Sequence, residues 1–268
     1  MIDFKFLYQP IVPHIVIVGV GGTGGYVTQQ VSQLMSIFNI KGTLLLADFD
    51  QVEEKNLKNQ LFIKKDIGKP KAEVLARRYS AAYELPISYY TASYVENITT
   101  LEKLFVRDAT LPILIGCVDN NYTRQIFHQF FEQSERLVYI DVGNEAAVVP
   151  DDFRTRPKQR WTKEEIETFN ETGWTGQLVV GVKWDGQVLA EPVASVFPDI
   201  LTDEDTTAPS EVSCSELSAS HPQKALTNRY SSMAVTTVMN ELFDRWQISI
   251  HKIVFHAQRG YMRAYELN

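Results

Sequence analysis

The chain has 268 residues, 44% hydrophobic and 22% charged, with a formal net charge of −7 and a pI near 5.3. This is the composition of a soluble globular protein long enough to bury a full core, most simply as one domain over 1–268. The acidic balance argues against a nonspecific grip on nucleic acid, and no apolar run approaches a membrane span. The two cysteines, Cys117 and Cys214, belong to no C-x-x-C pair. They argue against a thiolate zinc site and a disulfide framework, and the chain reads as cytoplasmic. The N-terminus lacks the layout of a signal peptide.

In chain order, the β-branched run His14–Val18 predicts a buried strand, and a glycine-rich turn follows it. Val27, Val31, Leu34 and Met35 then recur at helical spacing across Tyr26–Phe38. Thr43–Ala47 reads as a strand ending at Asp48, Lys71–Ala82 as helix, Ile87–Tyr94 as strand and Thr100–Phe105 as a short helix. Pro112–Val118 is a further buried strand, closed by Asp119 and Asn120. Helix over Tyr122–Phe131 and strand over Leu137–Val142 complete the nucleotide-binding half, 1–150. Strands alternating with helices imply right-handed crossovers and a parallel sheet.

The second half, 151–268, changes pattern. Asp151–Thr172 is polar and reads as an inserted loop with a short helix over Lys163–Phe169, its charges on a solvated face. Asp185-Gly186 between Gln177–Trp184 and Gln187–Ala190 is a hairpin signal. Pro198–Pro209 reads as a mobile acidic loop, His221–Trp246 as a long helix, and Lys252–Ala257 with Tyr261–Glu266 as a final hairpin. The fold class is therefore α/β: a doubly wound, Rossmann-like, mostly parallel sheet with a C-terminal antiparallel extension.

Gly19, Gly21 and Gly24 satisfy G-x-G-x-x-G between a predicted strand and a predicted helix, with Gly22 beside them. Glycine permits the tight turn and a close backbone approach to phosphate, and the following helix presents free N–H groups to the anion. No G-x-x-x-x-G-K-S/T run is present, so this is not a P-loop. Asp48 ends the second strand, where an acid can hold ribose hydroxyls, a position that suits NAD or ATP equally.

Further motifs separate these two. Asp48-Phe49-Asp50-Gln51-Val52, then Asn56-Leu57-Lys58-Asn59-Gln60, then Asp66-Ile67-Gly68-Lys69-Pro70-Lys71-Ala72 follow in order, and Asp119-Asn120 with Arg124 comes downstream. Together they resemble the signature of the ThiF/MoeB superfamily, which includes the ubiquitin-activating enzymes: D-x-D-x-V, N-L-x-R-Q, D-I-G-x-x-K-A and D-N-x-x-x-R. The C-terminal half is similar to the plasmid-borne PRTRC-system ThiF-like proteins at Tyr139–Asn144, Gly176-Gln177 and Ser213-Cys214-Ser215, with an insertion between Asn144 and Gly176.

The resemblance implies binding of ATP with Mg²⁺, and adenylation of the C-terminal carboxylate of a ubiquitin-like or sulfur-carrier-type small protein, in a homodimer. It assigns Lys71 to neutralising the polyphosphate, Asp119 to Mg²⁺ and Asp48 to the ribose. Asp50 and Asn56 would shape the pocket, Gly21 and Gly22 would lie under the phosphates, and Asn59 and Asn120 would count among the nucleotide-binding residues. The sequence departs from the pattern at Asn59, where the family carries a phosphate-binding arginine. Lys55, Lys58 or Lys64 could supply charge instead, without the planar fork of a guanidinium. The arginine that the family donates across the dimer has no counterpart before His14, where the only basic residue is Lys5.

Cys214 lies in a serine-rich stretch before the last long helix. Thioester-forming members place a cysteine similarly, which makes it the candidate acyl acceptor; a loop cysteine with no role is the alternative. Cys117, inside an apolar run, reads as a packed thiol. None of the histidines has metal-ligand spacing. Two rival functions stay open at this level: a non-catalytic nucleotide- or partner-binding scaffold, favoured by Asn59, and an NAD(P)-dependent oxidoreductase, disfavoured by the downstream motifs.

Overall fold

A computed structural model of the chain describes residues 1–5, 11–105, 110–153, 155–203, 208–210 and 223–267. The strands are β1 (Ile2–Asp3), β2 (Pro13–Val18), β3 (Thr43–Ala47), β4 (Ile87–Tyr90), β5 (Leu111–Gly116), β6 (Leu137–Asn144), β7 (Thr175–Trp184), β8 (Gln187–Ala190), β9 (Gln247–Ile248), β10 (Ile250–His256) and β11 (Tyr261–Glu266). The helices are α1 (Gly22–Ile37), α2 (Lys71–Tyr83), α3 (Ile98–Leu104), α4 (Asn121–Gln133), α5 (Lys163–Glu171), the single turns α6 (Val193–Val196) and α7 (Asp199–Thr202), and the long α8 (Ala225–Arg245).

The main sheet runs β11-β10-β7-β6-β5-β2-β3-β4, with β8 also paired to β7. From β4 through β6 every pairing is parallel. The pairings of β7 with β6, β10 and β8, and of β10 with β11, are antiparallel. The expected mostly parallel sheet with an antiparallel C-terminal extension is what the chain forms. Both faces are covered. Ile15 and Ile17 pack on one side with Val27, Val31 and Met35 of α1, Leu75 of α2 and Val235 and Met239 of α8. Val16 and Val18 face the other side, against Leu101 of α3 and Phe127 and Phe131 of α4. The unbroken apolar run Ile15–Val18 follows, because neither face of that strand meets water.

This winding reverses between β2 and β5. The chain leaves β2 for β3 and β4 on one side, and returns through β5 and β6 on the other. Such a reversal opens a crevice beyond the carboxyl ends of the two strands, and ligands of open α/β sheets bind there.

Several boundaries differ from the sequence expectation. α1 starts at Gly22, not Tyr26, because the glycines themselves form its first turn. β4 stops at Tyr90, where the Tyr90 carbonyl accepts from the Asp48 N–H (3.1 Å), so Tyr94 belongs to a loop. The acidic segment after Pro198 is anchored where it is described. Gln125 Nε2 donates to the Ile200 carbonyl (2.9 Å), and Asn121 Nδ2 to Asp203 Oδ2 (2.6 Å). No helix among the described residues is long and apolar enough to cross a membrane.

Candidate active site

A cleft of about 430 Å³ opens at the reversal between β2 and β5. Its floor is the glycine turn. Gly19 has φ +83°, and a Cβ there would come within 2.8 Å of the Cys117 carbonyl oxygen. A Cβ on Gly24 would overlap the Gly19 carbonyl oxygen, so Gly24 serves the packing of turn on helix and does not line the cleft. Gly21 caps α1 and Gly22 is its first residue; both line the cleft. The Gly25 N–H is bonded to the Gly21 carbonyl (3.0 Å), which leaves the N–H groups ahead of it without intrahelical acceptors. The positive end of a 16-residue helix therefore faces the cleft.

The end of β3 supplies two carboxylates, and α2 supplies their cation. Asp48 accepts from the Val20 N–H (2.8 Å) and the Asp50 N–H (2.9 Å), tying β3 to the glycine turn. Lys71, the first residue of α2, is buried, and its Nζ lies 2.8 Å from Asp50 Oδ2. Tyr94 Oη donates to the other Asp50 oxygen (2.7 Å). Burial pushes the Asp48 carboxyl above the usual range, against the pull of Lys71. Burial works the same way on Asp50, but Lys71 and the Tyr94 hydroxyl outweigh it and hold Asp50 low. Burial would also lower Lys71; Asp48 and Asp50 more than offset this, so its ammonium is held up.

On the next wall, Asn56 is buried in a short 3₁₀ turn, Glu54–Lys58, and its Oδ1 accepts from the Glu53 N–H (2.8 Å). Asn59 ends that turn, exposed on the cleft. Of the three lysines that could replace the missing arginine, Lys55 lines the cleft, paired with Glu53 at 3.0 Å, while Lys58 and Lys64 do not. Gln60 Oε1 is buried without a hydrogen-bond partner among the described residues.

The end of β5 completes the ring. Asn120 Oδ1 accepts from the Thr123 N–H (2.8 Å), so Asn120 caps α4 and leaves Asp119 exposed on the cleft. Arg124 is half-buried and ties three elements: Nε to Asp141 Oδ1 (3.1 Å), Nη1 to Asn121 Oδ1 (3.1 Å) and Nη2 to the Val118 carbonyl (2.7 Å). Burial, with Asp141 adding, pushes the Cys117 thiol far up, so this half-buried cleft residue stays protonated and is no nucleophile.

Of the residues singled out in the sequence, Gly19, Gly21, Gly22, Asp48, Asp50, Asn56, Asn59, Lys71, Asp119 and Asn120 therefore share one cleft. Cys214 lies outside the described residues. Sequence reasoning missed Tyr94, Phe49, Asn144 and Asn228, which also line it. The rings of Phe49 and Tyr94 meet at 4.8 Å on the β3 side. The D-x-D spacing could have drawn attention to Phe49, and Asn144 ends the segment Tyr139–Asn144 already marked by resemblance; nothing local marks Tyr94 or Asn228. Among the described residues no three His, Cys, Asp or Glu side chains group as a metal cage.

Residues 12–144, from β2 through β6, match the ThiF family. This half of the chain belongs to the ThiF family. Over 95 residues the chain is 32% identical to the NEDD8-activating enzyme E1 catalytic subunit of Saccharomyces cerevisiae, 35% of this chain and 29% of that protein. Among solved structures, Escherichia coli MccB in the presence of ATP is similar over 95% of this chain and 63% of its own, with TM-score 0.58 and 15% identity. PaaA is similar over 98% of this chain and 67% of its own, with TM-score 0.56 and 18% identity. At these identities the solved structures establish the fold. The chain spans less than two thirds of MccB and of the NEDD8-activating subunit.

Proposed function

We propose that the protein uses ATP to adenylate a carboxylate, with the C-terminal carboxylate of a small ubiquitin-like or sulfur-carrier-type protein as substrate. The observation that carries this reading is the convergence of Asp48, Lys71 and Asp119 on the N-terminus of α1 within one cleft. Membership of the ThiF family supports it, as do a relative named for activating NEDD8 and a neighbour solved with ATP and with AMPCPP plus MccA.

In this reading Asp48 holds the ribose and the α1 N-terminus receives phosphate. A carboxylate oxygen attacks the α-phosphorus, the bond to the bridging oxygen breaks, and pyrophosphate leaves. No proton moves, so the site needs alignment and charge neutralisation, not a general base. Lys71 supplies positive charge once phosphate replaces Asp50 as its partner, and Lys55 adds charge from the wall where the family arginine would stand. Asp119 suits Mg²⁺: it is a hard oxygen donor on the cleft, released from capping duty by Asn120, and Mg²⁺ is commonly held by one or two carboxylates with the phosphates. That ion would offset charge on the leaving pyrophosphate.

Cys214 is the proposed acceptor for a second step. Its thiolate attacks the acyl carbon, the acyl–phosphate bond breaks and AMP leaves. A homodimer is the proposed assembly. ATP–pyrophosphate exchange, assayed with candidate small proteins, tests the adenylation. Exchange that depends on one of them, and that Cys214→Ala retains while losing a thiol-labile adduct, supports both steps. ATP binding with no exchange for any partner favours the scaffold reading, which the Asn59 position independently motivates.

A further inference from the structure

Asn228 stands one turn into α8, outside the part of the chain that matches the ThiF family, yet it lines the cleft. It is 1% exposed. Its Oδ1 accepts from Asn144 Nδ2 (2.7 Å) at the end of β6 and from Thr23 Oγ1 (3.3 Å) in the first turn of α1. Asn144 Oδ1 in turn accepts from the Ser231 hydroxyl. In this arrangement the Asn228 Oδ1 is turned toward Asn144 and Thr23. Its Nδ2 has no hydrogen-bond partner among the described residues, and it lies so close to Gly22 that a Cβ there would overlap it. A buried amide donor without an acceptor carries the full desolvation cost of an unmade bond, and an oxygen of a ligand would relieve it.

The position says which oxygen. Asp48 follows β3, on one flank of β2, and Asn144 ends β6, two strands along on the other flank. With ribose at Asp48 and phosphate at the α1 N-terminus, the space beside Asn144 and Asn228 lies beyond the phosphate, away from the nucleoside. A second reactant can meet the α-phosphate from this side. We infer that Asn228 Nδ2 binds one oxygen of the acyl substrate's main-chain carboxylate, an inference that rests on the adenylation reading. The carboxylate's other oxygen attacks the α-phosphorus as pyrophosphate leaves, and the oxygen on Asn228 becomes the carbonyl oxygen of the acyl adenylate. Thr23, Asn144 and Ser231 are positioning residues that hold the amide. Glycine at 22 keeps the approach open.

The test uses three probes by isothermal titration calorimetry: AMP, MgATP and glycyl-sulfamoyladenosine, a stable mimic of an acyl adenylate. Asn228→Ala should bind the mimic about three- to tenfold more weakly than the wild type, the worth of one neutral hydrogen bond, while AMP and MgATP bind unchanged. Asn228→Ser keeps an acceptor for Asn144 but withdraws from the cleft, and should show the same selective loss; it decides the matter if Asn228→Ala fails to fold. Equal losses for AMP and the mimic would assign Asn228 to the nucleotide's own phosphate and overturn the inference. Unchanged mimic binding in folded variants overturns it too, leaving adenylation intact. A wild type that binds neither MgATP nor the mimic sinks the adenylation reading itself.

Discussion

Lys71 Nζ and Asp50 Oδ2 lie 2.8 Å apart, so the lysine expected to meet polyphosphate is already engaged by a carboxylate from the neighbouring motif. The contact follows from backbone pairing: Gln51 bridges to Pro70, and the Lys71 N–H donates to the Asp50 carbonyl (2.9 Å). The D-x-D and D-I-G-x-x-K-A segments, about twenty residues apart, become one structure. Nucleotide binding must then exchange one anionic partner for another. Lys71→Met should weaken MgATP binding roughly ten- to a hundredfold, the range of a charge-assisted hydrogen bond. It should also lower the melting temperature, since Asp48 and Asp50 lose their shared cation. Calorimetric titration of MgATP reads the first effect; wild-type affinity in a folded Lys71→Met protein would contradict the role.

Asn59 faces the cleft where the family carries arginine, with Lys55 as the nearest substitute charge on that wall. Asn59→Arg should therefore tighten MgATP binding about tenfold, because a guanidinium offers a bidentate fork that lysine lacks. Lys55→Ala should loosen it by a few-fold in the wild-type background and by less in Asn59→Arg. Affinities measured for the four proteins of this cycle test the idea. Additive effects would mean that the two positions do not share a phosphate.

Two glycines with different reasons should respond differently to alanine. Gly24 has the Gly19 carbonyl where a Cβ would go, so Gly24→Ala should cost about 3 kcal/mol or more and abolish nucleotide binding. Gly68 has φ +80° with nothing within 4 Å of a Cβ, so Gly68→Ala should cost only the left-handed backbone strain, about 1 kcal/mol. Urea unfolding of both variants checks the order.

His14 pins β2 to its neighbours. Its Nε2 lies 2.8 Å from the Leu104 carbonyl, which can only accept, so Nε2 carries the proton and Nδ1 accepts from Thr43 Oγ1. Burial lowers its pKa below the ordinary 6.5, with the Leu104 carbonyl partly opposing. The unfolded chain then binds a proton more readily than the folded one. The stability His14 contributes is present above 6.5 and is lost as pH falls from there toward the lowered folded value. Denaturant unfolding between about pH 7.5 and about pH 5 should show a steeper loss for the wild type than for His14→Gln. Parallel profiles would contradict it.

Much of the site was legible because its residues stand at strand ends in motifs of fixed spacing. Gly19 and Gly21 follow β2, Asp48 follows β3 and Asp119 follows β5, and a parallel sheet brings such ends together. Tyr94 and Asn228 were not legible, since each reaches the cleft through topology. Tyr94 arrives because β4 ends early; Asn228 arrives because α8 packs on α1, two hundred residues away in sequence. Asn120 shows the reverse limit. It belongs to a site motif, yet the geometry spends its side chain on capping α4. Hydrophobic periodicity placed the α1 start four residues late, because glycines carry no apolar signal.

The choice of nucleotide tests the central claim most directly. With ligand at a hundredfold excess over its dissociation constant, binding to the folded state alone adds about 2.7 kcal/mol of stability, a rise of about 5 °C or more for a chain of this size. MgATP should raise the melting temperature by that much and NAD should leave it unchanged, while Lys71→Met should cut the MgATP shift to about half or less at the same ligand concentration. A rise with NAD and none with MgATP would contradict adenylation and return the glycine turn to dinucleotide binding.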